Sequence, residues 1–357
     1  MGSVKDLEVL RRPTEREMGV GRFRFSDRYS VFDWGEMPDL IEGKGAALCL
    51  MGARCFEMLE QRGIMTHYRG LVDSRGRVVR LDELDGPSNV MEINLVNVYR
   101  PAARTEGGRL VYDYSLYSPS LTNFLIPLEF IYRNSLPEES SVFKRLARGE
   151  VTPEELGLDH MPRPGERLAR PILDVSTKLE ETDRYISWEE AKRIARLTNG
   201  EIEEMKSLLL RVDGVITEMA SRAGLQNEDG KIELAFDPQR RLMVVDVAGT
   251  LDECRFTYKG IHVSKEIARV FYRRTEWFSA AEEAKARAAG LGVEDWRSLC
   301  WVSPPPLDRE LKAIISEMYM AAANAVTGRR FFEVSALDEV VRRYREYTER
   351  SGSGSTL

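Results

Sequence analysis

The stretch Lys231 to Phe256, KIELAFDPQRRLMVVDVAGTLDECRF, constrains this chain more than any other. Its alternation predicts two strands, Lys231 to Phe236 and Arg241 to Val247, turned at Asp237-Pro238. Alternate side chains of a strand share a face, which groups Lys231, Glu233 and Ala235 on one strand and Val244 with Asp246 on the other. A carboxylate set among apolar strand residues is costly unless a cation or hydrogen bonds compensate it. Glu233 and Asp246, opposed across the hairpin beside a lysine, make a hard-oxygen pair suited to Mg²⁺ carrying a triphosphate. A Glu–Lys pair on a solvated edge hairpin has the same pattern, and spacing alone favours that plainer reading. The following Gly249 to Arg255 is a strand-end loop with acids and an arginine, a usual place for ligand contacts.

Around this hairpin the chain reads as α+β. Residues 1–126 are β-rich. Leu7 to Leu10 is extended, Phe23 and Phe25 start a run continuing through Tyr29, Val31 and Phe32, and Tyr68 to Leu81 is a hairpin around Ser74-Arg75-Gly76. Val90 to Val98 and Leu110 to Tyr114 are further strands. Gly45 to Arg62 is a helix by the spacing of Leu48, Met51, Cys55, Met58 and Leu59, with Gly63 as its C-terminal cap. In residues 127–350 helices dominate, at Ser140 to Gly149, Thr152 to Leu156, Asn199 to Ala223, Lys265 to Tyr272, Ala280 to Ala289, Arg309 to Val326 and Leu337 to Thr348. Ser187-Trp188-Glu189-Glu190 reads as a capping box opening one more. Residues 351–357 form a Ser/Gly-rich flexible tail.

A net charge of −6 argues against a dedicated nucleic-acid binder, yet leaves room for a local basic pocket. Cys49, Cys55, Cys254 and Cys300 lack CxxC spacing and read as buried thiols of a reducing compartment. His67, His160 and His262 are too dispersed for a metal cluster. No apolar leader or membrane-length run is present, which predicts a cytoplasmic protein with no membrane partner.

Seven segments then follow one another along nearly the whole chain: SDRYSVFD (Ser26 to Asp33), IEGKGAAL (Ile41 to Leu48), LIPLEFIYR (Leu125 to Arg133), RPILDVSTKLEETD (Arg170 to Asp183), DGKIELA (Asp229 to Ala235), DVAGTLDECRF (Asp246 to Phe256) and SPPPLDRELKAIISEMYMAAANAVTG (Ser303 to Gly328). In this order they resemble the SAICAR synthetase family, the phosphoribosylaminoimidazole-succinocarboxamide synthases, in a divergent, archaeal-type form. The chain departs from that family in several places. RRPTEREMGVGR stands where a Gly-Lys phosphate loop is expected, leaving Arg11, Arg12, Arg16 or Arg22 to serve. Ser140-Ser141 replaces Gly-Ser, Thr182 a histidine and Val247 a glutamate, and residues from about Asn97 to Tyr117 are an insertion.

The resemblance implies a two-lobed fold, a β-rich N-terminal lobe and an ATP-grasp-like C-terminal lobe with the site in the cleft. It implies an ATP- and Mg²⁺-dependent ligase joining L-aspartate to carboxyaminoimidazole ribonucleotide (CAIR) through an acyl phosphate, and a homo-oligomer. Glu233 and Asp246 would hold the metal, with Lys231 neutralising a carboxylate or phosphate. Arg133 and Ser141 would contact the ribonucleotide or aspartate, Lys178 and Asp183 the aminoimidazole, and Arg255 and Arg269 the ribonucleotide phosphate. Lys44, at a helix start, would meet an anion. Arg12 and Arg22 would grip ATP phosphates, and Leu128 and Glu129, within Ile126 to Phe130, would meet adenine through backbone groups. Without the resemblance Arg133 and Arg269 read as surface arginines, and Lys178 and Asp183 as solvated loop residues. Two other functions fit the residues: a ligase for a different acid or amine, and a nucleotide-binding module without catalysis. An interaction protein ranks last, because coiled-coil heptads are absent.

Overall fold

Lys5–Arg11 (β1) and Gly19–Phe25 (β2) pair antiparallel, and Tyr68–Val72 (β3), Val78–Val79 (β4) and Val90–Leu95 (β5) complete a five-stranded sheet ordered β1-β2-β5-β3-β4. Lys44–Gln61 (α1) packs against it, burying Leu48, Met51, Cys55, Phe56 and Leu59. This is a computed structural model, and it describes residues 4–351 apart from 107, 108, 292 and 294. Ala102–Glu106 (β6) and Arg109–Asp113 (β7) form a separate two-stranded ribbon. The rest of the expected tail beyond Ser351 lies outside the described residues.

The second sheet has six strands: Phe124–Leu136 (β8), Glu166–Thr177 (β9), Gln226–Phe236 (β10), Leu242–Val245 (β11), Cys254–Tyr258 (β12) and Ile261–His262 (β13). Its order is β13-β12-β10-β8-β9, with β11 beside the outgoing half of β10. Ser141–Ala147 (α2) lies between β8 and β9, while Trp188–Ala195 (α3) and Asn199–Arg222 (α4) join β9 to β10. Glu266–Tyr272 (α5), Glu276–Leu291 (α6), Arg309–Thr327 (α7) and Leu337–Arg350 (α8) close the chain. The final helices pack within the chain, α7 against α1 and α8 against α7.

The two sheets are stitched together by backbone. Val244 N donates to Met65 O at 2.9 Å and His67 N to Val244 O at 3.0 Å, which ties β11 to the entrance of β3. Leu125 N donates to Asn97 O at 2.9 Å, a second stitch at the start of β8. One hydrophobic core runs through both sheets, and the expected 126/127 boundary falls inside β8. No described helix is long and apolar enough to cross a membrane. Cys49, Cys55 and Cys254 are buried free thiols and Cys300 is half-buried.

Several local expectations change. Tyr29, Val31 and Phe32 are not a strand; β2 ends at Phe25, and Phe32 and Asp33 turn the chain at φ 56° and 60°. Ser187 does cap α3 by accepting from Glu190 N, but the Glu190 carboxylate turns to Arg184 and Arg193 instead of closing a box. The reciprocal box belongs to α4, where Thr198 and Glu201 satisfy each other's N–H groups.

Candidate active site

Asp229, Lys231, Glu233 and Ala235 alternate along β10, covering about 20 Å at roughly 3.3 Å per residue. Glu233 lies directly opposite Glu129 of β8, so a half-buried and a buried carboxylate face each other across one ladder step. Two lysines answer them. Lys178 Nζ bonds Glu129 at 2.8 Å and Glu233 at 2.9 Å; Lys231 Nζ bonds Glu129 at 2.7 Å and lies 3.6 Å from Glu253. The two carboxylates respond in opposite directions. Burial pushes Glu129 up, but the paired ammoniums outweigh it and hold its pKa at about 2. Glu233 is raised, by burial first and by the nearby Asp246 charge second, and Lys178 fails to offset both. Glu233 is therefore the acid of the pair that is short of positive charge.

Asp246 reaches this site differently from the sequence expectation. The register pairs Glu233 with Val245, so simple alternation would carry the next residue to the other face. The strand instead stops at Val245, and Asp246 adopts the left-handed region at φ 62°. Asp is among the few non-glycine residues that tolerate this conformation. His67 supports the turn: its Nε2 sits 3.0 Å from the Asp246 carbonyl, which can only accept, so Nε2 carries the proton. Burial lowers the His67 pKa to about 4, which keeps the ring neutral and in that tautomer. Gly249, at φ 70°, then lets the loop lie on α1, since a Cβ there would stand 2.8 Å from Cys55 Sγ. The Asp246 carboxylate is gripped through both oxygens by Lys5 Nζ, at 2.7 and 2.9 Å. Burial would pull Lys5 down, but Asp246, Glu253 and Glu233 together raise it, so it stays an ammonium.

At the other end of β10 lies an arginine cluster. Asp229 holds Arg255 in a two-pronged contact, Nε at 2.9 Å and Nη2 at 2.6 Å, and also lies 3.4 Å from Arg133 Nη1. Arg133 is only 2% exposed; its Nη2 donates to Tyr185 Oη at 3.0 Å and Ser141 Oγ at 3.2 Å, while its Nε has no partner among the described residues. Arg145 pairs with Asp174, whose carboxylate also approaches Arg133 at 3.5 Å. Arg269 is held by Glu266 at 3.1 Å, a carboxylate kept at about 2 because Arg269, Arg273 and Arg255 outweigh its burial.

Beyond Glu233 the strand turns apolar. Ala235, Met243 and Val245 form a small cluster with Met18, Met65, Val96 and Leu125. Met18 arrives on the β1–β2 loop, whose shape is set by side-chain amides: Asn123 Nδ2 donates to Thr14 O at 2.6 Å and Glu17 O at 2.8 Å, and Asn97 Nδ2 to Thr14 O at 2.9 Å.

The structure thus brings together Lys231, Glu233, Asp246, Lys178 and Glu129, and beside them Arg133, Ser141 and Arg255, with Arg269 tied in through Glu266. Asp183 is exposed on the loop after Lys178, yet enough protein surrounds it, with Glu129 nearby, to raise its carboxyl to about 6. Leu128 is fully buried beside Glu129. Arg12 is exposed on the β1–β2 loop, and Arg22 is engaged through Nε and Nη2 by Glu92 on the first sheet. Lys44 is not gathered into the site. It is 0% exposed, bonds Asp252 at 2.8 Å and lies under the Tyr319 ring. The α1 N-terminus has its own anion as well: Asp27 accepts from Gly45 N at 2.9 Å and Gly43 N at 3.3 Å.

Sequence reasoning missed Lys5, Glu253, Asp174, Arg145 and Tyr185. Asp229 was within reach, since it stands two and four positions before Lys231 and Glu233 on the same alternating face. Lys5 opens an edge strand with no periodic partner to mark it.

The pattern of the SAICAR synthetase family matches residues 14–286. An Archaeoglobus fulgidus protein, named provisionally as a phosphoribosylaminoimidazole-succinocarboxamide synthase, is 51% identical over 349 residues, covering 98% of this chain and 100% of its own length. SAICAR synthase of Saccharomyces cerevisiae, solved with SAICAR, superposes at a TM-score of 0.60 with 19% identity, over 92% of this chain and 94% of that one. A SAICAR synthetase solved in complex with ADP superposes at 0.54 with 20% identity, over 86% of this chain and 99% of that one. At such identities the two structures speak for the α+β fold, while the sequence matches carry the lineage. The chain belongs to the SAICAR synthetase family.

Proposed function

We infer that this chain catalyses the phosphoribosylaminoimidazole-succinocarboxamide synthase reaction of purine biosynthesis, an ATP-dependent ligation. A carboxylate oxygen of CAIR attacks the γ-phosphorus of ATP and ADP leaves. The amine of L-aspartate then attacks the acyl carbon of the mixed anhydride, and phosphate leaves to give SAICAR. Such chemistry gathers many anionic groups, so catalysis rests on alignment and charge neutralisation.

The observation that carries the site assignment is the under-compensated Glu233 beside Asp246, joined by a single strand to the Asp229–Arg255–Arg133 cluster. Among the described residues no group of three or more His, Cys, Asp or Glu side chains forms a metal cage. Mg²⁺ does not need one, because it is commonly held by one or two carboxylates together with phosphates and water. Glu233 and Asp246 fit that donor set, and the ion when bound would offset charge on the nucleotide phosphates. Lys5, Lys178 and Lys231 surround the same point and supply further ammoniums to phosphate and carboxylate oxygens. Met18 and Leu125, part-buried over Ala235 and Met243, suit a nucleobase. Arg255, Arg133 and Ser141 suit a phosphate monoester at the far end of β10, where guanidinium forks give directional contacts.

The purified protein with CAIR, L-aspartate and MgATP should form ADP and SAICAR in equal amounts, with no SAICAR when any one component is omitted. ADP release only with a different amine would reject aspartate as the partner.

A further inference from the structure

The β6–β7 ribbon belongs to neither sheet, and the reaction as described leaves it idle. Its outgoing end reaches the loop between β9 and α3. Tyr112 Oη accepts from the Glu181 backbone N–H at 2.8 Å, and two residues on Tyr114 Oη donates to Glu180 Oε1 at 2.5 Å. The Glu180 side chain is 2% exposed, and Arg184 donates to it through Nε at 3.1 Å and Nη2 at 3.3 Å. Tyr117 anchors the base of the ribbon: it is buried against Phe124, and its Oη donates to Tyr99 O at 2.5 Å.

The loop held in this way is central to the site. Lys178 at its start bonds Glu129 and Glu233, Tyr185 at its end meets Arg133 and Ser141, and Asp183 lies between them. Leu179 is in the left-handed region at φ 75°, a conformation a leucine keeps only when its surroundings impose it. The ribbon tyrosines are such surroundings. The metal acids, Lys231 and Arg255 are rooted on strands or at a strand end; Lys178, Asp183 and Tyr185 depend on this loop.

We propose that the ribbon is a positioning strap: Tyr112 and Tyr114 hold residues 178–185 in the shape that binds the small dianionic amino acid. The proposal rests on the ligase reading above. The ribonucleotide and the nucleotide keep Arg255, Arg133, Lys231 and the metal acids on strands or at a strand end and lose only the support of Lys178 and Tyr185, so loosening the strap weakens binding of the amino acid most.

The test uses the full chain carrying Tyr112→Phe, Tyr114→Phe, and both, which keep the rings and remove the hydroxyls. Each lost hydrogen bond corresponds to about fivefold easier local opening. In the double variant, amide hydrogen exchange across residues 178–185 accelerates at least about tenfold while β10 exchange is unchanged. The KM for aspartate rises about tenfold, and the KM values for CAIR and MgATP, which keep their strand-borne grips, rise by less than that. Unchanged loop exchange overturns the proposal, and so does faster exchange with an unchanged aspartate KM. If the wild-type protein turns over no aspartate, the ligase reading fails and with it the assignment of the occupant. The exchange measurement still separately decides whether the tyrosines hold the loop.

Discussion

Asp246 stands one residue past Val245, the register partner of Glu233, and returns to the same site only through a left-handed turn at φ 62°. The pairing of two acids therefore depends on a backbone excursion as well as on strand alternation. Asn tolerates that conformation and Val does not. Asp246→Asn should abolish turnover and lower the unfolding midpoint somewhat, because Lys5 loses the carboxylate that it grips. Asp246→Val should lose about 1–2 kcal/mol more than Asp246→Asn, the cost of a β-branched residue at positive φ. Thermal melts alongside rate measurements separate the two effects.

Lys5 holds both oxygens of Asp246 and so occupies one side of the acid pair as a tethered cation. Lys5→Met should tighten binding of free Mn²⁺ about tenfold, on the scale of one charge-assisted contact removed as a competitor. It should also raise the KM for the metal–nucleotide, because an ammonium near the phosphates is lost. Calorimetric titration of Mn²⁺ with and without nucleotide reads both; unchanged affinity for the free ion would argue against competition at Asp246.

Arg255 and Arg133 share Asp229 but differ in burial. Arg255→Lys keeps the charge and loses the fork, so it should raise the KM for the ribonucleotide about tenfold or more with little change in kcat. Arg133→Met leaves Asp229 and Asp174 with less compensation in the interior and should cost about 3–5 kcal/mol in urea unfolding. Equal loss of stability in both variants would contradict this division.

Glu129, Asp252 and Glu266 are each held at about 2 in the folded chain; burial opposes this, and neighbouring Lys or Arg groups outweigh it. A carboxylate with a depressed folded pKa contributes stability above its unfolded pKa and loses it as pH falls. The stability of the chain should therefore drop between about pH 4.5 and about pH 2. Glu266→Gln should be less stable than wild type at pH 7, by up to about 3 kcal/mol, and should converge with it near pH 2. Urea midpoints across that range test the sign.

Much of this was legible because periodicity survives where an element has one wet face. The apolar spacing of α1 and α4 marked both helices, and alternation marked β10 around Lys231 and Glu233. Alternation fails for β8: Phe124–Leu136 is buried along almost its whole length, so no polar face records its pleat. β9 was likewise read only as a motif. Asp246 escaped because a positive φ turns a residue away from the face that its parity assigns. Lys44 looked like an anion contact because a glycine-flanked lysine opens a helix, but Asp27 and Asp252 meet those charges from distant parts of the chain. Lys5 and Tyr185 reach the site only through tertiary packing, which leaves no spacing to read.

The most direct test is Glu233→Gln, assayed for SAICAR and ADP under saturating CAIR, aspartate and MgATP, with its melting temperature taken in parallel. Burial and the Asp246 charge already disfavour the ionised form of Glu233, so neutralising it should leave the melting temperature at or above the wild-type value. Turnover should fall by about a thousandfold or more, because on the proposed assignment the nucleotide's metal would lose one of its two carboxylates. A folded Glu233→Gln protein that forms SAICAR at the wild-type rate would contradict the account.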